Sequence, residues 1–180
     1  MVISHRFYWG IGTAAVISSL VCFIPALAIP ASDSAQASAV TLGADPLQAA
    51  ASEDRSLMLH TAGIRKALEG DYQDAIANYD QALNLSPQNP EIYYNRAVAH
   101  YSVGHPKLAL DDFDHAIQLQ PTMAEAYANR STVRLEAGDA KGAIADGQKA
   151  AQLFEQQGEP DLAAEMQDWV NQHEAIADRF

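Results

Sequence analysis

Three glycines, Gly70, Gly104 and Gly138, stand 34 residues apart, and the same interval recurs along the chain. It pairs Ala75 with Ala109 and Ala143, Ala82 with Ala116 and Ala150, and Leu85 with Leu119 and Leu153. Leu59, Tyr93 and Tyr127 coincide, as do Gly63, Ala97 and Ser131. Pro87 and Pro121 match, whereas the third copy has Glu155 there. A fixed period of this length marks stacked copies of one small unit, none of which can bury its apolar side alone.

Each unit reads as two helices. In the second, Asn89-Pro90 supplies a cap and a first-turn proline, and Gly104 ends the first helix. Pro106 opens the second helix, whose apolar side is Leu110, Phe113, Ile117 and Leu119, and Pro121 stops it. Thr122 to Glu125 then has the form of a capping box. The small residues at 75, 109 and 143, and at 63, 97 and 131, let the two helices approach closely, and enlarging one would overpack the contact.

This pattern resembles the tetratricopeptide repeat family in its 34-residue helix–turn–helix form, over three tandem units, 56–89, 90–123 and 124–157. Leu59, Tyr93 and Tyr127 stand at the family's bulky first-helix position. Tyr79 and Phe113 occupy its aromatic position in the second helix, from which Gly147 departs. The resemblance implies an all-α solenoid that binds another protein. Small photosystem-assembly proteins with three such repeats are similar at the level of fold.

Open ends of such stacks need a cap. After Gly158, Pro160-Asp161 opens a helix across 158–180 with the stripe Leu162, Met166, Trp169, Val170, His173, Ile176 and Phe180. It reads as a capping helix, with Trp169 buried and Gly147 as the small residue beneath it. The last repeat helix is expected to run on to Gln157.

The first 37 residues read as an address. Arg6 precedes an uncharged run from Phe7 to Ser32, and Ala26-Leu27-Ala28 and Ala35-Gln36-Ala37 offer cleavage sites. A signal peptide and an uncleaved anchor over 7–29 both fit, and both carry the rest of the chain out of the cytoplasm. The expected place is the periplasm, or the thylakoid lumen in a photosynthetic cell. Residues 38–52 read as a flexible tether, with Asp45-Pro46 suited to an early helix start.

Chemistry is not visible. The 23 acidic against 11 basic residues, a net charge of −12, disfavour nucleic acid and basic membrane contacts. The six histidines lack metal-ligand spacing, and the lone Cys22 lies in the leader. Asp111, Asp112, Asp114 and His115 read as a solvated face. No phosphate loop or nucleophile elbow occurs, so no catalytic residue, metal or cofactor is expected.

What remains is a surface. In this family the first helix of each pair lines a concave groove. The phase places His60, Ile64, Tyr94, Asn95, Val98, Tyr101, Asn129 and Thr132 there, with Leu68, Ala128 and Leu135 beside them and Glu91, Glu125 and Glu136 at the rim. Tyrosine supplies contact area and asparagine bonds backbone groups, which suits a peptide or helix segment of a partner protein. Asn95 and Asn129 also resemble part of the carboxylate clamp of chaperone-binding members. However, Glu125 and His60 stand where those members have lysine, and Ile64 stands where they have asparagine. Arg96 and Arg130 are expected to pair with acids of neighbouring helices.

Overall fold

The computed structural model describes residues 46–177, which form seven helices and no strand. They are α1 (Pro46–Leu68), α2 (Tyr72–Leu85), α3 (Pro90–Ser102), α4 (Pro106–Leu119), α5 (Ala124–Glu136), α6 (Ala140–Gln157) and α7 (Pro160–Ala177). The expected leader, and the tether as far as Asp45, lie outside the described residues. The part of the tether from Pro46 to Ser52 is instead the first two turns of α1. Pro46 is tolerated at a first helical position, and Ala49-Ala50-Ala51 are strong helix formers.

The repeated glycines close the first helix of each pair. Gly70, Gly104 and Gly138 have φ of 85°, 81° and 88°, which a side chain rarely adopts. After each, the next amide reaches back to the last turn: Asp71 N to Lys66 O, His105 N to His100 O, and Asp139 N to Arg134 O, all at 2.9 Å. Asn89 caps α3 by accepting from the amides of Glu91 and Ile92. The expected capping box at Thr122 does not form. The repeat register starts α5 at Ala124, so Met123 takes the cap position with no side-chain bond and is buried.

α1 packs on α2, α3 on α4, and α5 on α6, and each pair stacks on the next, with α7 on α6. The alanines make this possible. Ala75, Ala82, Ala97, Ala109, Ala116, Ala143 and Ala150 are all 0% exposed. The rings between them differ from pair to pair. Tyr79 lies over Gly63 so closely that a Cβ on Gly63 would stand 2.7 Å from Cδ1 of the ring. Phe113 is buried beside Ala97 in the second pair. In the third pair Gly147 has no ring to offer, and Trp169 and Val170 of α7 come down onto it. α7 therefore completes the core of the third pair from outside, with Met166 and Val170 buried.

The first helices also touch one another directly, α1 with α3 and α3 with α5, whereas the second helices do not make comparable contacts. The stack thus curves with α1, α3 and α5 on its inner side.

Candidate functional site: the inner face

Two side-chain bonds cross the inner face, each linking one first helix to the next. Asn95 Nδ2 lies 2.8 Å from His60 Nε2, joining α3 to α1. One repeat later, Asn129 Nδ2 donates to Tyr94 Oη at 2.9 Å, joining α5 to α3. The series ends there, because the corresponding residues of the next step are Ala128 and Ala163. Both amides expected to hold a peptide backbone are thereby engaged with neighbouring helices.

Tyr94 is likewise a packing residue. Its ring lies against Phe113 at 6.0 Å, and burial pushes its phenol pKa up. Tyr101 is half-buried and packed on the core around Phe113. His60 is 5% exposed and sits edge-on to Tyr79. Of the inner-face positions, Ile64 (38% exposed) and Leu68 (66%) are exposed, and Val98 and Thr132, like Tyr101 and Leu135, are half-buried. Ile64, Val98 and Thr132 occupy the same place in successive units, one ring of side chains along the groove.

Three clefts open beside these residues. A small one, about 50 Å³, lies between Ile64, Leu68 and Val98, with Tyr79 as part of its wall. A cleft of about 400 Å³ lies where α7 meets α5, lined by Ala128, Thr132, Glu165, Met166, Asp168, Trp169 and Gln172. A wider one of about 750 Å³ lies between the start of α1 and the α2–α3 turn, with Glu53, Asp54, Leu57, His60 and Glu91 in its wall.

The second cleft corrects two expectations. Ala128 is not on open groove: it is 1% exposed and lies among Met166, Phe154 and Ala150. Trp169 is half-exposed rather than buried, with one side toward Gly147 and its ring 4.2 Å from that of His173. Sequence reading had a signal for this. The 34-residue phase puts Met166 and Trp169 in register with Thr132 and Leu135, so the capping helix continues the inner face.

Acids line the two larger clefts, and neither lysine nor arginine lines any of the three. Glu91 and Glu125 are exposed. His60 adds no cation at neutral pH, because burial lowers its pKa and the nearby Glu91 offsets this only in part. A carboxylate clamp therefore has no charge to work with.

The outer side holds the charge network. Arg96 donates from Nε and Nη2 to Asp112 at 2.8 and 2.7 Å, and from Nη1 to Asp80 at 2.6 Å. Arg130 repeats this 34 residues on, with Asp146 at 2.8 and 2.6 Å and Asp114 at 2.5 Å. Asp112 and Asp146 are 5% and 4% exposed. The reading of residues 111–115 as a solvated face thus holds for Asp111, Asp114 and His115, which are exposed even though Asp114 meets Arg130, and fails for Asp112, which is buried against Arg96. Among the described residues no group of three or more potential metal ligands occurs.

Acidification should weaken the fold. His60 and His100 both have pKa values lowered chiefly by burial, so the unfolded chain takes up their protons first as pH falls. Their contribution is complete above the ordinary value of 6.5 and is lost as pH drops below it toward the folded values. Urea midpoints taken between about pH 7.5 and 5 should fall, and His60→Gln should flatten part of that fall. An unchanged slope in the variant would remove His60 from the account.

Family models described as TPR repeat and Tetratricopeptide repeat match residues 66–104 and 90–123. The chain is 38% identical over 66 residues to the Photosystem I assembly protein Ycf3 of Synechococcus elongatus, 37% of this chain and 35% of that one. It thus spans about a third of the length of this curated relative. The Sgt2 TPR domain from Aspergillus fumigatus superposes with a TM-score of 0.62 at 27% identity, covering 69% of this chain and 82% of that one. The first TPR domain of Spaghetti (RPAP3), bound to the HSP90 peptide SRMEEVD, superposes with a TM-score of 0.61 at 24% identity, covering 68% and 95%. With the glycine-closed pairs, the alanine contacts and the curved stack, these matches identify the chain as a tetratricopeptide repeat protein.

Proposed function

We propose that this chain is an exported scaffold or assembly factor that holds an apolar segment of another protein along its inner face. The observation that carries the reading is the line of accessible apolar side chains Ile64, Leu68, Val98 and Trp169. It runs along the inner face, and the RPAP3 domain, of the same fold, binds a peptide of HSP90. Apolar anchors in partly enclosed clefts are where binding energy concentrates. The acids around them favour a neutral or basic segment over an acidic one. The partial likeness to an assembly protein supports the role of a helper in building a larger complex. Export rests on the leader-like first 37 residues alone. The uncharged run over 7–29 favours a second reading, an anchored structural subunit of an envelope or thylakoid complex. No helix among the described residues is long and apolar enough to cross a membrane.

Photocrosslinking in the native cell tests the proposal. A crosslinking residue at Thr132 should capture one defined partner, and one at the exposed outer position Gln81 should not. Ile64→Glu in the same chain should reduce capture at least about tenfold while leaving helicity unchanged. Capture from Gln81 alone would move the binding surface to the outer side. Sequencing the amino terminus of the recovered chain separates a cleaved leader from a retained anchor.

A further inference from the structure

The two ends of the stack are finished differently. α7 covers the last pair, but among the described residues no helix covers the outer flank of α1. Among the described residues five large apolar side chains are well exposed, and four of them lie on α1: Leu57 (64%), Met58 (72%), Ile64 (38%) and Leu68 (66%). Leu57, Thr61, Ile64 and Leu68 recur at helical spacing, with Met58 beside them. Exposed apolar patches of this kind on a soluble domain usually meet another surface.

The charges of α1 state what that surface is. Asp54 and Arg65 lie about three turns apart and so nearly in line along one flank of the helix. Neither forms an ion pair with any other described residue. In an antiparallel pair of identical helices, like flanks face each other in reversed order. Asp54 of one copy then comes level with Arg65 of the other, and the two-fold axis makes the contact twice. In that register Met58 faces Thr61 across the axis, and Leu68 lies over the small residues Ala50 and Ala51 of the other copy. A parallel pair would set Asp54 against Asp54.

We propose that two copies of this chain associate through α1, antiparallel, with Leu57, Met58 and Leu68 as the apolar contact and Asp54–Arg65 as the paired charges that fix the register. This inference does not rest on the peptide-binding reading. It takes up Leu68 at one end of the inner face and leaves Val98, Thr132 and Trp169 open on each copy, so each copy keeps the part of its inner face from α3 to α7.

The test is sedimentation of the full chain in a neutral detergent, with circular dichroism to confirm that each variant is folded. The wild type should be a dimer. Asp54→Arg sets two arginines against each other, and Arg65→Asp sets two acids together, so each variant alone should associate at least about tenfold more weakly. Mixed in equal amounts, the two should form a heterodimer, and one chain carrying both changes should return to within about threefold of the wild type. A monomeric wild type overturns the proposal. So does a dimer indifferent to all four charge states, which is the result if the apolar residues 7–29 hold the copies together. Leu57→Glu with Leu68→Glu gives an independent check, because a dimer that survives it does not use this flank.

Discussion

Arg96→Ala is expected to cost the fold about 3 kcal/mol, read as a lowered urea midpoint at pH 7. The loss does not come from the bond to Asp80, whose side chain is 52% exposed and whose pairing is worth little. It comes from Asp112, whose side chain is 7% exposed and takes both parallel bonds of the guanidinium. Removing the arginine leaves a buried carboxylate without its partner, the costly way to break such a pair. Arg130→Ala is expected to cost less, because Arg134 Nη1 still reaches Asp146 at 2.9 Å. Arg96→Met combined with Asp112→Leu should recover much of the loss, since neither partner is then left charged. Equal costs for the two arginines would mean that Arg134 does not shield Asp146.

The same variant has a distinctive pH dependence. His100 Nε2 stands 3.9 Å from Asp112, and its Nδ1 is buried with no hydrogen-bond partner. Burial lowers its pKa, Asp112 raises it, and the arginine lowers it further. Without Arg96 the imidazole is freer to take a proton beside Asp112. The stabilisation from that charge is present below the ordinary histidine range and lost above it. The deficit of Arg96→Ala relative to the wild type should therefore shrink between about pH 7 and 5.5. A deficit that grows would exclude His100 as the substitute partner.

The stack is legible in the sequence because its determinants are local and repeated. A glycine that must adopt positive φ and an alanine that must fit between two helices leave a mark every 34 residues. What the sequence hides are contacts that cross from one unit to another. His60 with Asn95 and Tyr94 with Asn129 are bonds at an offset of 35, set by how successive first helices cross. Residue types alone leave such amides free, so Asn95 and Asn129 read as ligand groups and proved to be links. Asp112 misleads in the same way. Its own helix shows a charge on a polar side, and only the arginine of the preceding helix explains its burial. The groove positions that remain open, Ile64, Val98 and Thr132, are those whose side chains have least to offer a neighbouring helix.

Gly147→Phe should unseat α7. Phenylalanine is what the second-helix position carries in the middle pair, so repeat logic alone makes the change look like a repair. The structure gives the opposite sign. A Cβ at Gly147 would already stand 2.8 Å from Val170 Cγ2 and 3.0 Å from Trp169 Cζ3, and the ring would need the volume those residues fill. Overpacking of this kind costs about 1–3 kcal/mol where the surroundings can yield. Here the yielding element is α7, whose departure also exposes Met166 and Val170, each worth about 1.5–3 kcal/mol when fully buried. The expected result is a markedly lower urea midpoint, rapid proteolysis after Gly158, and association through the uncovered Ala151, Leu153 and Phe154. Adding Trp169→Ala and Val170→Ala to Gly147→Phe should recover part of the stability, because the ring then comes from α6 as it does from α2 and α4 in the other pairs. Because α7 also forms one wall of the cleft beside Thr132, capture of a partner from that position should fail in Gly147→Phe. If Gly147→Phe keeps the wild-type midpoint and a protease-resistant α7, the third pair has room for its own ring and α7 is not its plug.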